Sequence, residues 1–153
     1  MIYEGSHVAP AGARFAIAAS RFNDPIVRRL VEGAVEQFAR SGVDRDAVDI
    51  AWCPGAFELP LVARRLAESG RYAAIVTLGC VIRGDTDHYE YVAGGAADGV
   101  LRASLDTGVP VLFGVLTVDT VAQAMERAGA DPGNKGAESA AGAVEMAQLL
   151  TRL

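Results

Sequence analysis

The sequence predicts an α/β protein in which helices cover both faces of a parallel sheet. Four short runs of apolar, largely β-branched residues recur along the 153 residues, and each is followed by a segment with helical periodicity. Strands that are apolar on both faces are typical of parallel sheets buried between helices. This alternation therefore predicts a three-layer α/β/α sandwich around a four-stranded parallel sheet.

The four predicted strands are these apolar runs, at residues 14–20, 47–52, 72–82 and 109–117. The first predicted helix has Asp24 as its N-cap and Pro25 at its first position, and Gly42 ends it. Its apolar residues recur with a period near 3.6, which is typical of a helix with one buried face. Four further helices are predicted at residues 59–69, 86–105, 118–128 and 135–150.

Residues 1–12 are predicted to form the N-terminal arm of a single domain that covers residues 1–153. Residues 2–4 have the composition of a short strand, and Pro10 separates them from the rest of the domain. A terminal segment of this kind is often frayed. Alternatively, it could add to a neighbouring subunit's sheet.

Charge and hydropathy exclude several classes of partner. Fourteen basic and nineteen acidic residues give a net charge of −5, and the basic residues are scattered. A nucleic-acid surface needs clustered lysine and arginine, so no nucleic-acid partner is expected. No apolar run approaches the roughly 18 residues of a membrane span, and no secretory signal is visible. The protein is therefore predicted to be cytoplasmic, without a membrane partner.

The two cysteines are predicted to be buried, reduced thiols. Cys53 and Cys80 both lie in apolar, strand-like segments and have no histidine or cysteine at metal-ligand spacing. No metal site is therefore expected.

The loops that follow the strands carry the residue types of a binding site. Ligands of open parallel sheets bind beyond the carboxyl ends of the strands, where the strand order reverses. Phe22 follows the first strand, Phe57 and Glu58 follow the second, and Gly84 and His88 follow the third. These groups could stack on a heterocycle, bind hydroxyls, hold a phosphate at a glycine turn and move a proton.

Each of these residues also has a structural interpretation that the sequence leaves open. Phe22 and Phe57 could each belong to the core, and Asn23 and Thr86 could each cap a helix. His88 could be a structural histidine on an amphipathic helix. The coincidence of these groups on one rim is what favours a binding site.

Six sequence motifs, in order along the chain, point to one enzyme family. They are R-F-N at 21–23, P-G-A-F-E-L-P at 54–60, G-C-V-I-R-G-D-T-D-H-Y-E-Y-V at 79–92, G-V-P-V-L-F-G-V-L-T at 108–117, Q-A-M-E-R-A-G at 123–129 and G-N-K-G at 133–136. Together they resemble the 6,7-dimethyl-8-ribityllumazine synthase family over nearly the whole chain.

The resemblance implies a flavodoxin-like fold and the penultimate step of riboflavin biosynthesis. In that reaction 5-amino-6-(D-ribitylamino)uracil condenses with 3,4-dihydroxy-2-butanone 4-phosphate to 6,7-dimethyl-8-ribityllumazine, and phosphate and water are released. An imine forms first, and phosphate elimination, ring closure and dehydration follow. The resemblance implies no metal and no organic cofactor.

The resemblance also implies roles for individual residues. Phe22 is expected to stack on the pyrimidine, the main chain of Val81 and Ile82 to meet it, and Glu58 to bind ribityl hydroxyls. His88 matches the family's proton shuttle. The other substrate-binding positions implied for the same chain are Asn23, Ala56, Phe57, Gly84, Asp85 and Thr86.

In this family the site lies between subunits, and four positions match those that the neighbour contributes. They are Phe113, Arg127, Lys135 and Glu138. Arg127 is expected to bind the leaving phosphate, Lys135 to be a second cation and Glu138 to orient a neighbouring side chain. The catalytic set that the resemblance implies is therefore His88, Arg127 and Lys135, although a cation near a helix end also has a purely structural interpretation.

The resemblance further implies a homo-oligomer, a pentamer that in some members assembles twelvefold into a 60-subunit icosahedral capsid. The turn at residues 129–133 is short. Because family members with an insertion at this turn form free pentamers, the 60-mer is favoured.

Three alternatives remain at the level of sequence. An archaeal-type riboflavin synthase shares the fold but has no phosphate substrate, so a phosphate turn and Arg127 argue against it. A flavin-binding module without turnover would explain the fold and the aromatic residues but not His88, Arg127 and Lys135 together. A shell protein whose main role is its cage is the third alternative.

Overall fold

A computed structural model describes residues 1–130 and 132–153 of the chain. Its elements, in order, are β1 (Phe15–Ser20), α1 (Asp24–Arg40), β2 (Val48–Cys53), α2 (Leu59–Glu68), β3 (Ala74–Ile82), α3 (His88–Thr107), β4 (Val111–Val118), α4 (Val121–Arg127) and α5 (Lys135–Leu150), with short 3-10 turns at Arg45–Ala47 and Ala56–Glu58. None of the helices in these described parts could span a membrane.

All strand pairs are parallel, and the strands lie in the order β2-β1-β3-β4. β1 and the first eight residues of β3 are buried throughout, whereas β2 and β4 form the edges and are partly exposed. The largest core cluster joins the sheet to α1, α4 and α5, and two smaller clusters join the opposite face to α2 and α3. The predicted flavodoxin-like α/β/α sandwich is therefore confirmed.

Two helices begin at a different residue from the one predicted. Asn23, not Asp24, is the N-cap of α1, and it adopts a left-handed conformation with φ of 64°, which asparagine tolerates better than most residues. Thr86 does not begin α3, because its hydroxyl accepts a hydrogen bond from the backbone N–H of His88, 3.4 Å away, outside the helix. Such local bonds compete with helix formation.

The boundary between β4 and α4 also differs from the prediction. Val118 was predicted to begin a helix, but it pairs with Ile82 and ends β4. Thr120 then caps α4, because its hydroxyl accepts a hydrogen bond from the backbone N–H of Gln123 at 3.1 Å. Residues 2–4, which have the composition of a short strand, form none within this chain; the arm lies against α5, where Gln148 Nε2 donates to the carbonyl oxygen of Val8.

Asn134 joins α5 to α1 and thereby fixes the start of α5, which carries Lys135. Its side-chain oxygen accepts from the backbone N–H of Ala137 at 3.0 Å, as a helix cap does. Its side-chain nitrogen donates to the carbonyl oxygens of Gly129, at 2.9 Å, and Arg29, at 3.1 Å. Asn134 itself is buried, and the third bond from its side-chain nitrogen, to the carbonyl oxygen of Ala128 at 3.4 Å, is buried as well.

We expect Asn134→Ala to lower the free energy of unfolding by about 2–3 kcal/mol, since it removes a cap together with three donated hydrogen bonds, of which the one to the carbonyl oxygen of Ala128 is buried. Thr120→Ala is the matched control: it removes only an exposed cap and should cost about 1 kcal/mol. Urea denaturation at one protein concentration measures both. Equal losses in the two variants would contradict the bridging role of Asn134.

Candidate active site at the carboxyl ends of the strands

Three loops meet where the strand order reverses between β1 and β3. The backbone N–H of Arg21 donates to the carbonyl oxygen of Cys53 at 2.8 Å, and that of Phe22 donates to Pro54 at 3.0 Å. Asn23 Nδ2 donates to the carbonyl oxygen of Cys80 at 2.8 Å. The loop after β1 is thus hydrogen-bonded to the end of β2 on one side and to the end of β3 on the other.

These loops enclose a cavity of about 750 Å³, which we call the strand-end cavity. It is lined by Phe22, Pro54, Gly55, Ala56, Phe57, Glu58, Cys80, Val81, Ile82, Gly84, Thr86, His88, Tyr89, Tyr91 and Val92. The side chains of Phe22 and Phe57 are 71% and 61% exposed, so neither is a core residue in this chain. Flat rings at an open, largely apolar cavity can stack on a planar ligand.

Two glycines of α3 determine how closely the Phe57–Pro60 segment approaches that helix. A Cβ atom at Gly95 would lie 2.6 Å from a ring carbon of Phe57, and one at Gly99 would lie 2.6 Å from Pro60. The absence of side chains at these positions therefore lets the loop after β2 pack directly on α3. Gly94 differs, because a Cβ there would meet nothing within 4 Å.

His88 is the first residue of α3, within the first turn of the helix predicted at residues 86–105, and it is exposed. Tyr91 and Val92, which also line the strand-end cavity, were not among the predicted site residues. They lie three and four residues after His88, and side chains at this spacing share one helix face. Helical periodicity applied to His88 could therefore have found them.

A second, smaller cavity of about 290 Å³ lies beside β4, and we call it the edge cavity. It is lined by Val115, Leu116, Thr117, Val118, Arg127, Gly133, Lys135 and Glu138. Lys135 Nζ lies 3.1 Å from Glu138 Oε1, and Arg127 Nη1 donates to the carbonyl oxygen of Gln123 at 3.0 Å. No residue that the structure describes lines both cavities.

Charge is divided unequally between the two cavities. Within the described residues, no lysine or arginine lines the strand-end cavity, and Glu58 is its one permanently charged side chain. The edge cavity holds two cations, Arg127 and Lys135. The strand-end cavity therefore lacks the groups that bind an anion most strongly.

Three predicted site residues line neither cavity in this chain: Asn23, Asp85 and Phe113. The amide nitrogen of Asn23 is engaged by Cys80, Asp85 lies exposed in the loop before α3, and Phe113 packs partly buried against the core on the α2 and α3 side. A separate groove of about 630 Å³ lies between α1 and residues 128–130 and 134; the described residues that line it carry charges of both signs and include none of the predicted site residues.

Both cysteines are free and buried, as predicted. Burial raises the pKa of the Cys80 thiol to about 11, and it also raises that of Cys53, with a further contribution from the charge of Glu58. Neither thiol is therefore activated as a nucleophile. Across residues 1–130 and 132–153, no group of three or more histidine, cysteine or acidic residues could hold a metal ion.

Comparison with known proteins agrees with the motifs. Residues 12–151 match the model of the family described as 6,7-dimethyl-8-ribityllumazine synthase. The chain is also similar to a protein of that name from Deinococcus deserti. The two are 55% identical over 148 residues, which cover 97% of this chain and 95% of the relative.

Proposed function

This chain belongs to the 6,7-dimethyl-8-ribityllumazine synthase family, and we propose that its active site forms where the strand-end cavity of one copy meets the edge cavity of another. The family's reaction condenses 5-amino-6-(D-ribitylamino)uracil with 3,4-dihydroxy-2-butanone 4-phosphate in riboflavin biosynthesis. The chain is accordingly a transferase. Neither match favours a riboflavin synthase or a non-catalytic flavin-binding or shell protein.

The unequal division of charge is the observation that supports a shared site. One substrate carries a phosphate, and guanidinium and ammonium groups are its strongest side-chain partners. The strand-end cavity offers His88 and a backbone turn at Gly84 but no such cation. Arg127 and Lys135 line a cavity along β4, whose outer edge is unpaired in a single chain. A second copy approaching that edge would bring both halves together.

The uracil substrate fits the apolar half. Its ring can stack on Phe22, while the backbone of Val81 and Ile82 at the end of β3 offers hydrogen-bonding groups to the edge of the ring. Glu58 lies in the loop after β2 and lines the same cavity, where its carboxylate can accept hydrogen bonds from ribityl hydroxyls. Phe57, which packs against Gly95 of α3, lines the cavity beside Glu58.

The condensation requires that the two substrates be held in the correct orientation and that one proton be transferred. The amine of the uracil attacks the ketone carbonyl, and loss of water gives an imine. Loss of a proton from the butanone-derived carbon next to the imine then allows phosphate to leave from the adjacent carbon, and we assign the transfer of that proton to His88, which lines the strand-end cavity. Arg127 binds the departing phosphate, and Lys135 can exchange its contact with Glu138 for the same anion. Ring closure and a second loss of water complete the product.

The assembly belongs to the same proposal. The two cavities are different surfaces of the chain, and a head-to-tail interface that joins them forms a ring when its rotation closes. We infer a pentamer from the family resemblance. The turn at residues 129–133 is short in the sequence, and because family members with an insertion there form free pentamers, a capsid of twelve pentamers is favoured. Residue 131 of this turn lies outside the described residues. A single domain with an arm at residues 1–12 and a cytoplasmic location remain predictions.

The direct test mixes the purified protein with the two substrates and follows lumazine fluorescence and free phosphate together. Both signals should rise above the uncatalysed rate with equal stoichiometry. If well-folded protein produced neither signal, the catalytic proposal would be wrong, and a flavin-binding or shell role would replace it.

We expect His88→Ala to lower kcat by about 10²- to 10⁴-fold without abolishing turnover, because positioned proton transfer contributes that much and orientation contributes separately. Arg127→Ala should lower kcat/KM further, since the phosphate then loses a partner that can form two parallel hydrogen bonds. Steady-state kinetics measure both effects. A folded His88→Ala protein with no activity would contradict the importance of positioning.

We expect Gly95→Ala to raise KM for the uracil substrate several-fold, because the added methyl group displaces Phe57 from α3. Gly94→Ala is the matched control: the same substitution one residue earlier meets open space and should leave KM within twofold. Initial rates at varied uracil concentration measure both. Equal effects in the two variants would mean that the Phe57 contact does not shape the site.

A further inference from the structure

We propose that Arg83 is a positioning residue, which holds the loop carrying His88 in the geometry required for proton transfer. The proposal rests on the function assigned above, because it concerns the orientation of the proposed proton carrier. Arg83 was not among the residues predicted from the sequence, and it lines neither cavity.

The loop between β3 and α3 needs an anchor, because the core does not provide one. Residues 83–88 are all exposed, so no buried side chain fixes their path. A Cβ at Gly84 would meet nothing within 4 Å, which indicates that this turn is not packed against other elements. Segments with few apolar contacts open locally at low cost. Yet this segment delivers Gly84, Thr86 and His88 to the strand-end cavity.

Arg83 supplies the missing anchor through both its backbone and its side chain. Its backbone N–H donates to the carbonyl oxygen of Val118 at 2.8 Å, which continues the ladder between β3 and β4 by one residue. Its side-chain Nε donates to Asp119 Oδ1 at 2.9 Å. The start of the loop is therefore tied to the end of β4 twice.

The same guanidinium reaches forward onto the first turn of α3. Its central carbon lies 4.3 Å from the ring centroid of Tyr89, and Nη1 lies 3.7 Å from Glu90 Oε1. Tyr89 is partly buried, packs on the core beneath α2 and α3, and lines the strand-end cavity next to His88. One side chain thus spans the loop, from the end of β4 to the residues that follow His88.

The contacts of Arg83 continue toward the edge cavity. The backbone N–H of Asp119 donates to Gln123 Oε1 at 2.7 Å, and the carbonyl oxygen of Gln123 accepts from Arg127 Nη1 at 3.0 Å. A series of polar contacts therefore links the His88 loop to Arg127 within one subunit. Arg83 is the residue of this series that lies in the His88 loop.

A positioning role predicts an effect on rate that exceeds the effect on stability. The side chains of Arg83 and Asp119 are 47% and 64% exposed, and ion pairs with that exposure contribute little to folding. Displacing a catalytic group by about 1 Å, in contrast, can slow an enzyme by about 10²-fold. We therefore expect Arg83→Ala to fold normally and to lower kcat about 10- to 100-fold, with KM for the uracil substrate within threefold.

Two variants separate positioning from a general structural effect. Arg83→Lys keeps a cation near Asp119 but loses the planar group over Tyr89, so it should recover part of kcat. Arg64→Ala is the matched control, since Arg64 is 45% exposed and also makes two ion pairs, with Glu68 at 2.9 Å and Asp106 at 3.1 Å, away from both cavities. It should leave kcat within twofold of that of the unmodified protein.

The decisive measurement is a double-mutant cycle with His88→Ala. If Arg83 acts through His88, removing Arg83 from a protein that already lacks His88 should change kcat by less than twofold. Multiplicative losses in the double variant, or an Arg83→Ala kcat within twofold of that of the unmodified protein, would overturn the proposal.

Failure of the proposed function can be distinguished from failure of this inference. If the unmodified protein showed no turnover, the proposed function would be wrong, and if His88→Ala left kcat unchanged, the role of His88 as the proton carrier would be wrong. Hydrogen exchange by mass spectrometry then tests Arg83 without catalysis. Peptides covering residues 84–91 should exchange faster in Arg83→Ala than in Arg64→Ala, and unchanged exchange would overturn the anchoring role.

Discussion

The parallel pairing of β1 with β3 is the constraint on which the site depends. The two strands pair from Phe15 and Ala74 to Ala19 and Leu78, and both are buried between the helical layers. Because the two strands are parallel and in this register, their carboxyl ends lie side by side at the same end of the sheet, and the loops that follow them meet there. β2 pairs with the other side of β1 and adds its own loop to the same rim. A change in this register would separate the side chains of Phe22, Glu58 and His88, which line one cavity in the observed register.

The same topology explains why Arg127 and Lys135 lie apart from the strand-end cavity within one chain. The strand-end cavity lies on the side of α2 and α3, whereas Arg127 and Lys135 belong to α4 and α5, which cover the opposite face of the sheet. Both cations line the edge cavity together with residues 115–118 of β4, at the edge of the sheet. A cavity suited to a flat heterocycle and a cavity suited to an anion are therefore built on separate surfaces, which is the geometry behind our proposal that a second copy joins them.

The sequence predicted those parts of the structure that local patterns encode. Apolar β-branched runs indicated the four strands. Because the carboxyl ends of parallel strands lie at the same end of a sheet, the side chains that follow them were expected to lie together, and Phe22, Phe57, Glu58 and His88 do line one cavity. Helix starts were displaced where a side chain had a competing partner: Asn23 bonds to Cys80, and Thr86 bonds to His88.

Other features of the site depend on contacts that are remote in sequence. Asp119 lies 36 residues from Arg83, and no periodicity marks such a pair. Phe113 illustrates the same point, because only the packing of β4 decides that this ring lies against the core on the α2 and α3 side rather than in either cavity.

Subunit complementation tests the shared site most directly. His88→Ala and Arg127→Ala chains would be co-expressed, and the mixed assemblies purified through tags on both chains. If the two residues meet across an interface, about one site in four of a random ring contains both intact residues. Activity should then rise to about a quarter of that of the unmodified protein, far above either parent variant. Mixed assemblies no more active than their parents would mean that each chain builds its site alone.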